Sequence, residues 1–226
     1  EYEQTGNVLF DRMFNTKIEF RPTGLDMNAE AKAVTEQLKS EGRNAYFIPG
    51  GGSNEIGALG YVSTAQELLE QCKAMRIHPK LVVLSTGSAG TQAGMIAGFH
   101  ALKCDIPILG ISVRHPEQVQ IENVYNLAVK TAAQLTDKPL PRKKVIVDDG
   151  YVGDGYGIPT ETMVQATNML ARNEGILLDP VYSGKGMAGL IGQIQSGQIS
   201  NDGDVIFLHT GGAVSLFAYQ DQFSPQ

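Results

Sequence analysis

The run Leu81-Val82-Val83-Leu84-Ser85-Thr86-Gly87-Ser88-Ala89-Gly90-Thr91 carries the chain's clearest chemistry. Four apolar residues predict a buried strand that gives way to Gly, Ser and Thr at the start of a small-residue helix, from about Ala89 to Lys103. Free N–H groups at a helix start point outward, and the helix dipole favours negative charge there. Gly87 and Gly90 let the backbone close on a phosphate, and Ser88 and Thr91 add hydroxyl donors. An ordinary strand–helix turn has the same outline, so the motif predicts a phosphate site without saying whose phosphate.

Two further groups suit such a site. Thr210 ends the apolar segment Val205–His209 and is followed by two glycines. It fits either an N-cap for a last short helix or a hydrogen bond to a ring nitrogen of a bound cofactor. Tyr156 stands between glycines in Gly153-Asp154-Gly155-Tyr156-Gly157, and Tyr182 precedes Ser183-Gly184-Lys185-Gly186. Two tyrosines on such loops are either half-exposed loop aromatics or an acid–base pair. Asp148-Asp149 at a strand end reads as one solvated group and one helix-cap or loop anchor rather than a metal or acid pair, and no metal is assigned. His78, His100, His115 and His209 are scattered, with His209 alone expected near a cleft. Gly51-Gly52-Ser53-Asn54 reads as a second anion nest or as a hinge.

The elements that must position these groups alternate strand and helix. Strands are expected at Thr16–Phe20, Ala45–Ile48, Leu81–Leu84, Pro107–Val113, Lys144–Val147 and Val205–His209. Helices are expected over Asn28–Glu41, from a Ser63/Gln66 capping box through Leu68, Leu69 and Cys72, from Pro116 to Leu135, from Pro159-Thr160 to Gly175, and through Met187, Leu190, Ile191 and Ile194 to Gly197. Alternation of this kind predicts an α/β fold, a three-layer, mostly parallel sheet with helices on both faces. Ligands of such sheets bind at the carboxyl ends of the strands, where Thr86–Thr91, Gly150–Gly157 and Thr210–Gly212 all fall. Pro49–Asn54 is the expected domain boundary.

Composition narrows the function. With 18 basic and 24 acidic residues the net charge is −6, and no Lys/Arg-rich run exceeds Arg142-Lys143-Lys144, so neither nucleic acid nor an anionic membrane is the expected partner. The two cysteines, Cys72 and Cys104, lack metal spacing and suit a reducing, cytoplasmic setting. No apolar stretch spans a bilayer and no signal peptide is visible. The chain opens on Glu1 rather than Met, which suits a processed or partial chain.

In order along the chain, IPGGGSNEIGALGYV, STGSAGTQAG, GDGYGIPTE, LDPVYSGKGMAGL and FLHTGGAVSLFAY resemble the D-cysteine desulfhydrase and 1-aminocyclopropane-1-carboxylate deaminase family. These are pyridoxal 5'-phosphate enzymes of fold type II, related to the tryptophan synthase β-subunit. The resemblance implies that Ser88, Ala89, Gly90 and Thr91 hold the cofactor phosphate, that Thr210 faces the pyridine nitrogen, with Ser183 beside it, and that Tyr156 and Tyr182 flank a small amino-acid substrate. The cyclopropane deaminases carry Glu where Ser183 stands and Leu where Thr210 stands, so this pair matches the desulfhydrases. A neutral hydroxyl suffices to help expel a thiol, whereas opening a cyclopropane needs a stronger electron sink.

The implied activity is β-elimination of D-cysteine to pyruvate, hydrogen sulfide and ammonia, with cyclopropane deaminase and cysteate sulfo-lyase as rivals. A non-catalytic phosphosugar-binding domain or an inactive fragment is the reading from another class. The family's Schiff-base lysine lies in a GGNK-type motif near its N-terminus, and a Ser-Asn segment there grips the substrate carboxylate. Neither motif is in this sequence, and Lys185 does not occupy the lysine's position. By that comparison about the first third of the enzyme is missing, residues 1–48 are the remainder of the smaller domain, and 49–226 form the larger, cofactor-binding one. The chain alone is then expected to bind the cofactor weakly and without a covalent link, and the resemblance implies a homodimer.

Overall fold

The computed structural model describes residues 5–22 and 24–223. Helices α1 (Gly6–Met13), α2 (Met27–Ser40) and α3 (Leu59–Met75) precede the first strand. Then β1 (Leu81–Thr86), α4 (Gly90–Ala101), β2 (Ile108–Ser112), α5 (Glu117–Ala132), β3 (Ile146–Asp148), α6 (Glu161–Glu174), α7 (Ser183–Gln195) and β4 (Val205–Leu208) follow. The last element is a 3-10 segment, Ala213–Gln222. Among the described residues the strands form one sheet in the order β3-β2-β1-β4, every pair parallel.

The sheet is buried on both faces, which is why β1 is apolar without alternation. Val82 and Leu84 point to a core shared with Ala93, Met95, Ala97 and Phe99 of α4 and Val124 and Ala128 of α5. Val83 points the other way, to a core with Leu109, Ile111, Ala166 of α6 and Ala188 and Leu190 of α7. The fold is thus the three-layer α/β arrangement that the alternation of elements predicts.

Four local expectations are corrected. Thr16–Phe20 and Ala45–Ile48 are not strands: among the described residues no strand lies beside them to accept their backbone bonds, and Phe20, Tyr46 and Ile48 stand exposed. The Ser63/Gln66 capping box does not form, because α3 already starts at Leu59. There the Ser63 hydroxyl donates back to the Leu59 carbonyl and the Gln66 amide pairs with Glu70. Arg142–Lys144 is a 3-10 turn, so β3 begins only at Ile146. No helix among the described residues is long and apolar enough to cross a membrane.

Candidate active site

The site is built where β1 ends. Gly87 to Ala89 form the turn into α4, and Ala89 takes the left-handed conformation at φ 78°. Neither Gly87 nor Gly90 has positive φ; these glycines serve close approach instead. A Cβ on Gly90 would lie 2.7 Å from the Ser53 hydroxyl, and one on Gly87 would lie 3.2 Å from both the Tyr182 ring and Val113. Ser53 reaches in from the glycine loop at 50–52: its hydroxyl accepts the Gly90 N–H at 3.1 Å and donates to Ser88 Oγ at 2.8 Å.

Opposite this turn stands the start of α7. Asp179 is 2% exposed, and its carboxylate accepts the N–H groups of Val181, Tyr182 and Ser183 at 2.7–2.9 Å. Ser85 of β1 donates its hydroxyl to the Tyr182 carbonyl at 2.8 Å. These bonds fix the backbone of Tyr182, whose ring turns towards the loop after β3. There Tyr156 meets it edge-on, with the hydroxyls 2.6 Å apart and the rings 5.8 Å between centroids. The Arg114 guanidinium lies 5.5 Å from the Tyr156 ring centroid, a cation over the negative face.

Two adjoining cavities result. One, of about 300 Å³, is lined by Ser85 to Ala89, Thr91, Asp179, Tyr182 and Thr210 to Gly212. The other, of about 600 Å³, is lined by Gly87 to Ala89, Tyr156, Tyr182, Arg114, His115 and the 49–55 loop, among others. Both fall in the size range of small-molecule sites. His115 has its pKa pushed down, first by burial and then by the neighbouring Arg114 charge, so it favours the neutral imidazole.

The glycine-rich segments therefore converge as expected. Ser88, Ala89, Thr91, Tyr182 and Thr210 line the smaller cavity, and Tyr156 joins Tyr182 at the larger. Thr210 is not a helix N-cap; Gly212 takes that place. Gly90 departs from the expected phosphate contact: it lines neither cavity, and its N–H is already bonded to the Ser53 hydroxyl. Ser183 departs from the expected contact with the ring: it is 1% exposed, its hydroxyl donates to Asp179 Oδ1 and accepts the Asp179 N–H, and it lines neither cavity. His209 lines neither; its ring bonds the Leu177 carbonyl and the Gly211 N–H.

Asp149 accepts the Glu117 N–H at the start of α5, and Asp148 accepts that of Gly150, so both are anchors. Sequence reading missed Asp179, although an Asp two to four residues before the backbone groups it binds is a recognisable turn and helix-entry pattern. It also missed Arg114, for which no local signal existed.

The donors suit a phosphorylated, ring-bearing cofactor. The turn supplies backbone N–H groups and hydroxyls at one end of the small cavity, and Thr210 supplies a neutral hydroxyl among its other lining groups.

Comparison with known proteins agrees. The sequence profile described as pyridoxal-phosphate dependent enzyme matches residues 1–211. The crystal structure of an ACC (1-aminocyclopropane-1-carboxylate) deaminase homologue is 33% identical, with a TM-score of 0.88 over 99% of this chain and 67% of that one. A hydrogen sulfide-producing enzyme of Fusobacterium nucleatum (16% identical, TM-score 0.57, 92% of this chain and 66% of that one) shares the fold. So does the cysteine synthase of Entamoeba histolytica (15%, TM-score 0.60, 97% and 61%). The chain thus spans about two thirds of the length of each. The phosphate-ready turn facing Thr210, the match over 211 residues and the close fit to the deaminase homologue agree: the chain belongs to the pyridoxal-phosphate dependent enzymes, in keeping with the branch of the ACC deaminases and D-cysteine desulfhydrases.

Proposed function

We propose that the protein is a carbon–sulfur lyase that removes hydrogen sulfide from D-cysteine by β-elimination, leaving pyruvate and ammonia. The observation that carries this reading is that the 88–91 turn and Thr210 share one cavity with Tyr182, whose hydroxyl meets that of Tyr156 at 2.6 Å. Pyridoxal phosphate, when bound, supplies an electron sink for the charge left on the substrate α-carbon. The Ala89 N–H and the hydroxyls of Ser88 and Thr91 would hold its phosphate at the positive end of α4, while the Gly90 N–H is taken by Ser53. Thr210, which lines the same cavity, would offer its hydroxyl to the cofactor ring, and Ser183 acts on the site only through Asp179.

Tyr182 and Tyr156 orient the substrate and hold a proton beside the departing sulfur. Lys185 takes no direct part: its ammonium is buried, donates to the carbonyls of Val152 and Gly155, and lines neither cavity. This reading treats residues 1–48 as part of a smaller domain and the protein as a cytoplasmic homodimer.

The rival supported by a specific observation is cyclopropane deamination, since the 33% identical structure is described as an ACC deaminase homologue. Ser183 and Thr210, where those enzymes carry Glu and Leu, speak for the lyase. The test assays the full-length protein with pyridoxal phosphate for sulfide from D-cysteine, ammonia and 2-oxobutyrate from the cyclopropane, and sulfite from cysteate. Sulfide release at a kcat/KM well above the other two is the expected result. Faster deamination of the cyclopropane, or sulfite as the main product, overturns the assignment.

A further inference from the structure

Lys185 is the largest fully buried side chain among the described residues, at 0% exposure. It stands one helical turn beyond Tyr182, in the first turn of α7. Its ammonium donates to the carbonyl oxygens of Val152 at 2.6 Å and Gly155 at 3.0 Å. An ammonium taken out of water is costly unless it is well bonded, and an apolar side chain of similar length would fill the space more cheaply. Its presence is explained by what it holds.

What it holds is a glycine-rich loop. Between Gly150 and Gly157, three glycines lie at positive φ: Gly153 at 67°, Gly155 at 154° and Gly157 at 75°. Such a segment loses much conformational freedom when it is fixed. Its backbone ties include Val152 N–H to the Asp149 carbonyl at 3.2 Å and Ile158 N–H to the Gly155 carbonyl at 3.3 Å. Tyr219 bonds the Gly157 carbonyl at 2.8 Å from the far side. Tyr156 directly follows one of the two carbonyls that Lys185 grips. The rigid first turn of α7 therefore carries both Tyr182 and the clamp that sets Tyr156 against it.

We propose that Lys185 is a positioning residue for the reaction: by holding the carbonyls of Val152 and Gly155 it fixes the Tyr156 hydroxyl against that of Tyr182. The inference rests on the lyase reading for its effect on rate but not for its effect on the loop, so the two fail separately. A shift of about 1 Å in a reacting group can cost about 100-fold in rate.

The test compares Lys185→Met, Lys185→Gln, Tyr156→Phe and the Lys185→Met/Tyr156→Phe pair in the full-length protein loaded with pyridoxal phosphate. In Lys185→Met, amide hydrogen exchange over 150–157 is expected to quicken about tenfold or more, while the α4 amides keep their protection. Pyridoxal phosphate affinity, read by fluorescence titration, stays within about twofold, because the phosphate cradle is built on other elements. The kcat for sulfide release falls towards that of Tyr156→Phe, and the double variant is no slower than the slower single one. Lys185→Gln, which keeps two N–H donors, recovers part of both the protection and the rate.

Unchanged exchange over 150–157 in Lys185→Met overturns the proposal, as do losses of rate that multiply in the double variant. If Lys185→Met does not fold, Lys185→Gln carries the same measurements. Failure of both to fold assigns Lys185 to the stability of α7 and likewise overturns it. If D-cysteine proves not to be the substrate, the exchange result still decides whether Lys185 holds the loop.

Discussion

The Ser53 hydroxyl oxygen sits 3.1 Å from the backbone nitrogen of Gly90, in the first turn of α4 and 2.8 Å from Ser88 Oγ. A loop 37 residues earlier in the chain thus rests directly on the phosphate turn. Only glycine permits that contact. Gly51 has φ 67°, and a Cβ placed on it would lie 2.4 Å from Ser88 Oγ and 2.9 Å from Ser88 Cβ.

Gly51→Ala is therefore expected to push the loop off the turn or turn Ser88 away. The combined strain and clash is on the order of 1–3 kcal/mol and falls on the phosphate site rather than on the core. Fluorescence titration should show pyridoxal phosphate binding weakened about tenfold or more, with the far-ultraviolet circular dichroism unchanged. An unaltered affinity would mean that the loop plays no part in holding the cofactor.

Thr210 offers one neutral hydroxyl, so its effect should be that of one hydrogen bond. Thr210→Leu is expected to lower kcat for sulfide release about 3- to 10-fold, equivalent to about 1 kcal/mol. Loss of a proton-transfer group would cost about 100-fold or more. Turnover equal to wild type would remove Thr210 from the chemistry.

Much of this was legible because strong local signals agreed with the global fold. Thr160 caps α6 through the Met163 N–H, and Gly175 ends it at φ 67°, as their residue types predict. The continuous apolar run of β1 announced a strand buried on both faces, and its Gly/Ser/Thr end announced the anion turn. Legibility failed where the decisive partner was remote. Thr16–Phe20 and Ala45–Ile48 carry strand-like residues, but a strand exists only beside another. Ser183 has the residue type of a ligand, yet the buried Asp179 captures its hydroxyl. The Lys185 clamp depends on carbonyls 30 and 33 residues away, which no local pattern reveals.

Close packing of α3 on α4 makes a third prediction. A Cβ on Gly98 would lie 2.6 Å from the Ala65 Cβ and 3.2 Å from the Val62 backbone. Both helices back the phosphate turn and neither can yield without moving the core around Ala97 and Phe99. Gly98→Ala should raise helix propensity yet cost about 1–3 kcal/mol net, because overpacking outweighs the smaller propensity gain. Urea denaturation monitored by circular dichroism checks this; a variant as stable as wild type would show that α3 shifts freely.

The last prediction concerns acid. Lys80, just before β1, donates to Asp202 Oδ1 at 2.8 Å and to the Ser200 hydroxyl at 2.7 Å, while Ser200 also donates to Asp202. The Lys80 bond and then the Ser200 bond hold the Asp202 carboxyl down at about 2, against an ordinary 3.8. A carboxyl whose folded pKa is depressed binds its proton more readily in the unfolded chain. Its contribution to stability is therefore complete above about pH 4 and is lost as the pH falls towards 2. Asp202→Asn removes that contribution at neutral pH. The difference in urea midpoint between wild type and variant should be present at pH 7, shrink below pH 4 and be smallest near pH 2. Because the pair is exposed, salt should reduce the difference at pH 7. A gap that widens on acidification would mean that the knot joining the start of β1 to the segment before β4 does not depend on the Asp202 charge.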